Sequence, residues 1–214
     1  MMQRGGPAFA EDPGTRRYYD RRAPEYDDWY LGEGLFAERD RPGWQEELSA
    51  VCSVLAALEP ATTLDIACGT GFLSRHLAGR VLGLDRSPAM ARLAKERIGA
   101  AGVADALAMP VADHAVARVF AGHFYGHLPP GERARFLQEV RRVAQELVVV
   151  DSAPRPGEPP ESWQERVLND GSRHVVFKRF VSAGQVATEI AGTPLFDGRW
   201  FVIARAAVAH APRP

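Results

Sequence analysis

Cysteine is nearly missing from this chain. Cys52 and Cys68 are the only two in 214 residues, and they form no CxxC pair. Nothing in that spacing supports a disulfide framework. Lysine is as scarce: of 26 basic residues only Lys95 and Lys178 are lysines, and the arginines are scattered rather than clustered. A formal net charge of -1 gives no general reason to seek nucleic acid or a membrane surface. No apolar run is long enough to cross a bilayer. Residues 1–20 are rich in Gly, Pro and charge without an apolar centre, unlike a secretory signal, so a cytoplasmic protein is expected. What remains is ordinary globular composition, 46% apolar and 25% charged, at a length that suits one domain with a full core and a small cap.

Against that plain background one stretch stands out. Leu64-Asp65-Ile66-Ala67-Cys68-Gly69-Thr70-Gly71-Phe72-Leu73 reads as a short buried strand, a glycine turn and the start of an amphipathic helix. Asp85 closes the next apolar run, twenty positions after Asp65. Such a turn lets a ligand press against bare backbone, and an acid at that distance suits a ribose diol. Taken alone this is a nucleoside-binding signal and names no reaction.

The rest of the chain alternates in kind. Helical spacing is predicted at 44–58, a strand at 62–67, a crossover helix at 72–78 capped by Gly79, and a strand at 81–85. Ser87-Pro88 opens a further helix, followed by strands at 102–104 and 116–121, a helix from Pro129-Pro130-Gly131, and a buried strand at 147–151. This alternation predicts an α/β fold with a doubly wound, mostly parallel sheet and a crevice beyond its strand ends, where Asp65, Asp85, Asp105 and His123 fall. The last third differs. A proline-rich connector at 154–160 precedes a helix at 163–168, a turn at Asn169-Asp170-Gly171, a strand at 174–180 and a helix capped by Ser182. A hairpin closes the chain around a two-residue Asp197-Gly198 turn. The expected organisation is a mobile tail at 1–17 and a single domain at 18–207. That domain has an aromatic lid at 18–43 and a cap insertion at 154–181, and 208–214 form a second tail.

The glycine motif, the acid after the second strand, Asp105-Ala106 with Met109-Pro110 behind them, and the final hairpin stand in one order. Together they resemble the class I S-adenosylmethionine-dependent methyltransferases, in particular the small-molecule branch with the ubiquinone/menaquinone-type enzymes, over roughly residues 18–206. The resemblance implies a Rossmann-like sheet of seven strands whose last strand inserts antiparallel between the fifth and sixth. It also implies S-adenosylmethionine as cofactor and S-adenosylhomocysteine as product. Ala67, Gly69, Thr70 and Gly71 would line the cofactor, with Asp65 orienting its amino group. Asp85, with Arg86 beside it, would take the ribose hydroxyls, and Asp105 and Ala106 the adenine. Met90 would cover the ring, His123 would lie by the sulfonium, and Tyr18 and Tyr19 would close the lid.

His123, Tyr125 and His127 are the candidates for a general base, and the bland alternative is that they hydrogen-bond and pack the loop. The histidine pair has no carboxylate neighbour in sequence, so no metal site is expected. Cys68 and Cys52 read as buried small residues. Arg166, Asn169, His174, Lys178 and Arg179 are either polar contacts of a cap or a solvated loop. The expected partner is a small-molecule methyl acceptor, on a monomer or homodimer, with no nucleic acid and no membrane. One rival is an NAD(P)-binding oxidoreductase, against which Ser74 replaces the third glycine and no Tyr-x-x-x-Lys pair exists. The other is a catalytically silent methyltransferase-like binding protein. The base-methylating Asn/Asp-Pro-Pro-Tyr/Phe and Pro-Cys motifs are absent.

Overall fold

A computed structural model describes residues 9–10 and 12–208. Its strands in chain order are β1 (Ala61–Ile66), β2 (Gly79–Asp85), β3 (Ala101–Val103), β4 (Val116–Gly122), β5 (Ala144–Ser152), β6 (Glu161–Val167), β7 (Arg173–Arg179), β8 (Thr193–Asp197) and β9 (Phe201–Ala207). Seven form one sheet in the order β3-β2-β1-β4-β5-β9-β8, and β6 and β7 pair apart as a hairpin. β1 to β5 run parallel, while β9 lies antiparallel to β5 and to β8. This is the doubly wound seven-stranded sheet the sequence predicts, with its last strand inserted in the expected place.

The central strands are buried on both faces, which is why they read as unbroken apolar runs. Along β5, Leu147 and Val149 join one core with Phe136 and Val186, whereas Val148 and Val150 join the other with Val51 and Leu55. The helices supplying those residues are α3 (Trp44–Ala56), α5 (Pro130–Val143) and α6 (Ala183–Ile190). Before them come α1 (Pro13–Arg22) and the short α2 (Asp28–Leu31), and α4 (Pro88–Ile98) follows β2. Ser87 caps α4 through Met90 N, and Ser182 with Gln185 forms a capping box on α6, as their sequence positions predict. No helix among the described residues is long and apolar enough to cross a membrane.

Four sequence expectations are corrected. Residues 13–17 belong to α1, capped by Asp12, and Phe9 and Ala10 are buried, so these parts of the expected tail at 1–17 are built into the domain. Residues 1–8, 11 and 209–214 of the two expected tails lie outside the described residues. The crossover at 72–78 is a single 3-10 turn, Ser74–His76, and not a helix. Pairing of Ala61 with Gly79 leaves only the twelve residues 67–78 to make the glycine turn and return along the sheet, so Leu77 is already extended. Gly79 accordingly opens β2 and caps nothing. The segment at 163–168 is strand β6, whose alternate exposure and Trp163–Phe177 ring contact follow a two-residue period. The hairpin between β8 and β9 turns two residues later than Asp197-Gly198: Asp197 pairs with Val202, Gly198 N donates to Phe201 O at 2.9 Å, and Arg199-Trp200 form the loop. Glu47 of α3 accepts from the amides of Arg199, Trp200 and Phe201 and fixes the turn there.

Candidate active site

β1 has β2 on one side and β4 on the other, so the connections after β1 and β4 diverge and leave a crevice at the carboxyl end of the sheet. Two residues at that fork, Ala67 and His123, have φ of 53° and 55°, conformations that non-glycine residues rarely adopt. Strain of this sort concentrates where a chain must hold a particular surface open. Between them Gly69, at φ 54°, lies so close to Tyr26 that a Cβ would sit 3.2 Å from its ring. Bare backbone is a requirement here.

The acids behave differently from one another. Asp65 is buried at the end of β1, and burial pushes its carboxyl up to about 8, with the Ser74 hydroxyl opposing and Asp85 adding to the rise. Asp85 lines the crevice and accepts from Gly69 N at 2.9 Å and Ser87 N at 2.8 Å. Burial nonetheless raises it to about 6. Asp105 turns aside to accept from Leu107 N at 2.9 Å, and its neighbours Ala104 and Ala106 form the wall. Arg86 lines the crevice, whereas Met90 is fully buried away from its lining.

The histidine loop divides. His123 is held neutral, its pKa depressed by burial to about 3, and its Nε2 is buried without a hydrogen-bond partner. Its ring is packed edge-on to Trp29 at 4.8 Å. His127 places Nδ1 2.5 Å from Phe177 O, which makes Nδ1 the donor, and stacks on Phe9 at 4.8 Å. Burial lowers its pKa too. Tyr125 leaves the candidate set: it is fully buried, donates to Glu189 at 2.8 Å and lines neither cavity. Its aromatic character reads the same in sequence whether it packs or reacts.

Two cavities meet here. The crevice, about 70 Å³, has Gly69, Asp85 and Ala106 on one side and Phe9, Arg16 and Tyr19 on the other. A larger cavity of about 320 Å³ lies beyond, under Tyr18, Arg22 and the β6–β7 hairpin. Tyr19, Tyr26, His123 and His127 border both. Thr70, expected at the cofactor, is engaged by the lid instead. It donates to Asp27 at 2.5 Å, and Arg97 of α4 reaches both Thr70 Oγ1, at 2.9 Å, and Asp27, at 2.6 Å. Asp20 likewise accepts from Ser87 at 2.6 Å.

Sequence reasoning placed Tyr26 and Asp27 in the lid without singling them out, and missed Arg97 and Phe9, whose partners are distant in the chain. It also missed Asp151, although an acid closing a buried strand was the very signal that found Asp65 and Asp85. Asp151 is fully buried, pairs with Lys178 at 2.5 Å and accepts from Gly126 N at 2.6 Å. Burial opposes its ionisation, yet Lys178 and the two histidines hold it down at about 2. Lys178, one of the two lysines, is pulled below its ordinary value by burial.

The sheet order, the crevice at its fork and the acid after β2 define the fold of the S-adenosylmethionine-dependent methyltransferases. Residues 63–146 match the sequence model of a methyltransferase domain. Among solved structures, the chain is similar to the DhpI–SAH complex and the DhpI–SAM–HEP complex. Each is 23% identical with a TM-score of 0.71; 96% of this chain is covered, and 98% and 99% of those chains. The PH0226 protein of Pyrococcus horikoshii OT3 is 19% identical, with a TM-score of 0.59 over 86% of this chain and 99% of its own.

The residues present fit an adenosyl cofactor. Gly69 offers bare backbone, Asp85 has a raised pKa that donors would relieve, and Ala104 and Ala106 give an apolar wall. The crevice is below the roughly 300 Å³ at which ligand pockets begin. Phe9 and Arg16 narrow it from the N-terminal side.

Proposed function

We propose that this chain acts as an S-adenosylmethionine-dependent methyltransferase on a small-molecule O, N, S or C nucleophile. The observation that carries the proposal is the junction of two cavities at His123, one bordered by nucleoside-binding features and the other roomy and polar. A concave second cavity under a hairpin suits a small acceptor better than a macromolecular one.

When bound, the cofactor supplies a methyl group on a cationic sulfur. Asp85 accepts the ribose hydroxyls, and the backbone of Ala67 to Gly71 lies against the methionine portion. Asp65 orients its amino group, and Ala106 faces the adenine. Tyr19 and Tyr26 border both cavities, where aromatic faces favour a cation by about 0.5–2 kcal/mol. The lid excludes water, and orientation of two reactants alone supplies up to roughly 7–11 kcal/mol of barrier reduction. His123 borders both cavities as a neutral group, its Nε2 buried behind that wall, and so shapes the junction rather than contacting the acceptor through that atom. His127 stands behind it as a positioning residue. Calorimetry with S-adenosylhomocysteine and with NAD tests this reading: the first binds and the second does not, and binding of NAD alone overturns it.

A further inference from the structure

The larger cavity carries a charge that the fold does not neutralise. Arg22 of α1, Arg39 of the lid, Arg155 of the β5–β6 connection and Arg166 of β6 all line it. Among the described residues none of the four makes an ion pair with a carboxylate. Arg22 donates to the Tyr18 hydroxyl at 2.7 Å, and Arg166 to the Gln164 side-chain oxygen at 2.7 Å, both neutral partners. Arg155 lies over the Phe180 ring at 5.0 Å, and its Nε is buried with no hydrogen-bond partner.

Two acids line the cavity as well. Glu165 is paired with Arg173 at 2.5 Å, and Glu25 accepts from Asn169 N at 2.9 Å, so a single carboxylate without a cation partner stands against the four guanidinium groups. Lys178 is already matched by Asp151. The arginines also feel one another. Burial pulls Arg155 and Arg166 below the ordinary guanidinium value; Arg166 and Arg39 add to the fall at Arg155 against an opposing pull from Glu158, and Arg22 and Arg39 add to the fall at Arg166 against Tyr18 and Tyr19.

Guanidinium groups gathered in a partly desolvated cavity with little counter-charge are matched by planar, multiply accepting anions. We infer that the acceptor is a small molecule bearing an oxyanion, a carboxylate or a phosphoryl group, held by Arg22, Arg155 and Arg166 with Arg39 at the rim. The inference rests on the methyltransferase reading for what happens to that molecule, but not for its binding. A neutral or cationic acceptor would leave the four charges opposed.

The test is calorimetric, with inorganic phosphate and succinate as probes in low-chloride buffer, with and without saturating S-adenosylhomocysteine. Arg155→Gln, Arg166→Gln and the double variant are measured beside the unaltered protein, with S-adenosylhomocysteine affinity as the control for folding. At least one probe binds, and each substitution weakens it roughly tenfold or more. The preferred probe assigns the phosphoryl or the carboxylate class. Failure of both probes to bind overturns the inference, as does unchanged affinity in the double variant. So does methyl transfer to neutral amides as fast as to the corresponding acids. Failure of S-adenosylhomocysteine to bind the unaltered protein overturns the methyltransferase reading instead, and leaves the anion result standing on its own.

Discussion

Asp85 is the residue on which the cofactor assignment turns. With two amide donors already on its carboxylate and its pKa at about 6, it ionises within the physiological range in the free protein. On the proposed ribose contact, hydroxyls donate more strongly to the ionised form, so affinity for S-adenosylhomocysteine rises from pH 5 to 7 and then levels. Calorimetry across that range gives the curve, and Asp85→Asn flattens it. Asp85→Ala removes hydrogen bonds to a charged acceptor worth about 1.5–3 kcal/mol each, a loss of roughly 10²-fold in affinity.

Asp65 gives the opposite kind of signal. Its folded-state pKa of about 8 lies above the unfolded value, so its stabilising effect is complete below the ordinary carboxylate range and is lost as pH rises through about 8. Thermal midpoints of Asp65→Asn and the unaltered protein therefore diverge from about pH 4 upward, with the variant higher. The gap stops growing above about pH 8. Both acids were legible in the sequence because each closes a short apolar run. Tyr125 was misassigned because its partner Glu189 is 64 residues away and no local pattern announces it.

At the level of elements, the buried Asp151–Lys178 pair ties β5 to β7 and so fixes the hairpin that covers the larger cavity. Lys178→Met leaves a carboxylate buried and unpaired, at a cost of about 3–5 kcal/mol in denaturant unfolding. Adding Asp151→Asn to that variant restores much of the loss. Asp151 has a folded-state pKa of about 2, so its contribution is present above the ordinary carboxylate value and disappears as pH falls through about 2. The second tie is the Asp27–Thr70–Arg97 cluster, which holds the lid against the glycine turn and α4. Asp27→Ala loosens it, and stopped-flow displacement of S-adenosylhomocysteine becomes about tenfold faster.

The elements that sequence identified correctly, α3, α4 and the strands of the main sheet, are those whose periodicity reflects burial in a single environment. β6 escaped because a seven-residue strand with one face on a cavity mixes Trp163, Glu165 and Val167 on its exposed side. The crossover after β1 escaped because a tertiary constraint, the pairing register of β2, overrides good helical spacing.

For the molecule as a whole, the sheet order and the crevice at its fork followed from the alternation of strands and helices. The larger cavity did not follow, because its walls come from α1, the lid, β5 and the hairpin. Its arginines looked scattered in sequence because only folding brings them together. That is why composition, with its balanced net charge, gave no hint of a local excess of positive charge.

Phe9 and Ala10, with residues of the stretch 15–26, roof both compartments. The two chambers thus share a ceiling. A guest that displaces the ceiling over one chamber disturbs the cover of the other, so the affinities for the two guests are linked: saturating either with its ligand shifts the dissociation constant of the other, by the same factor in both directions.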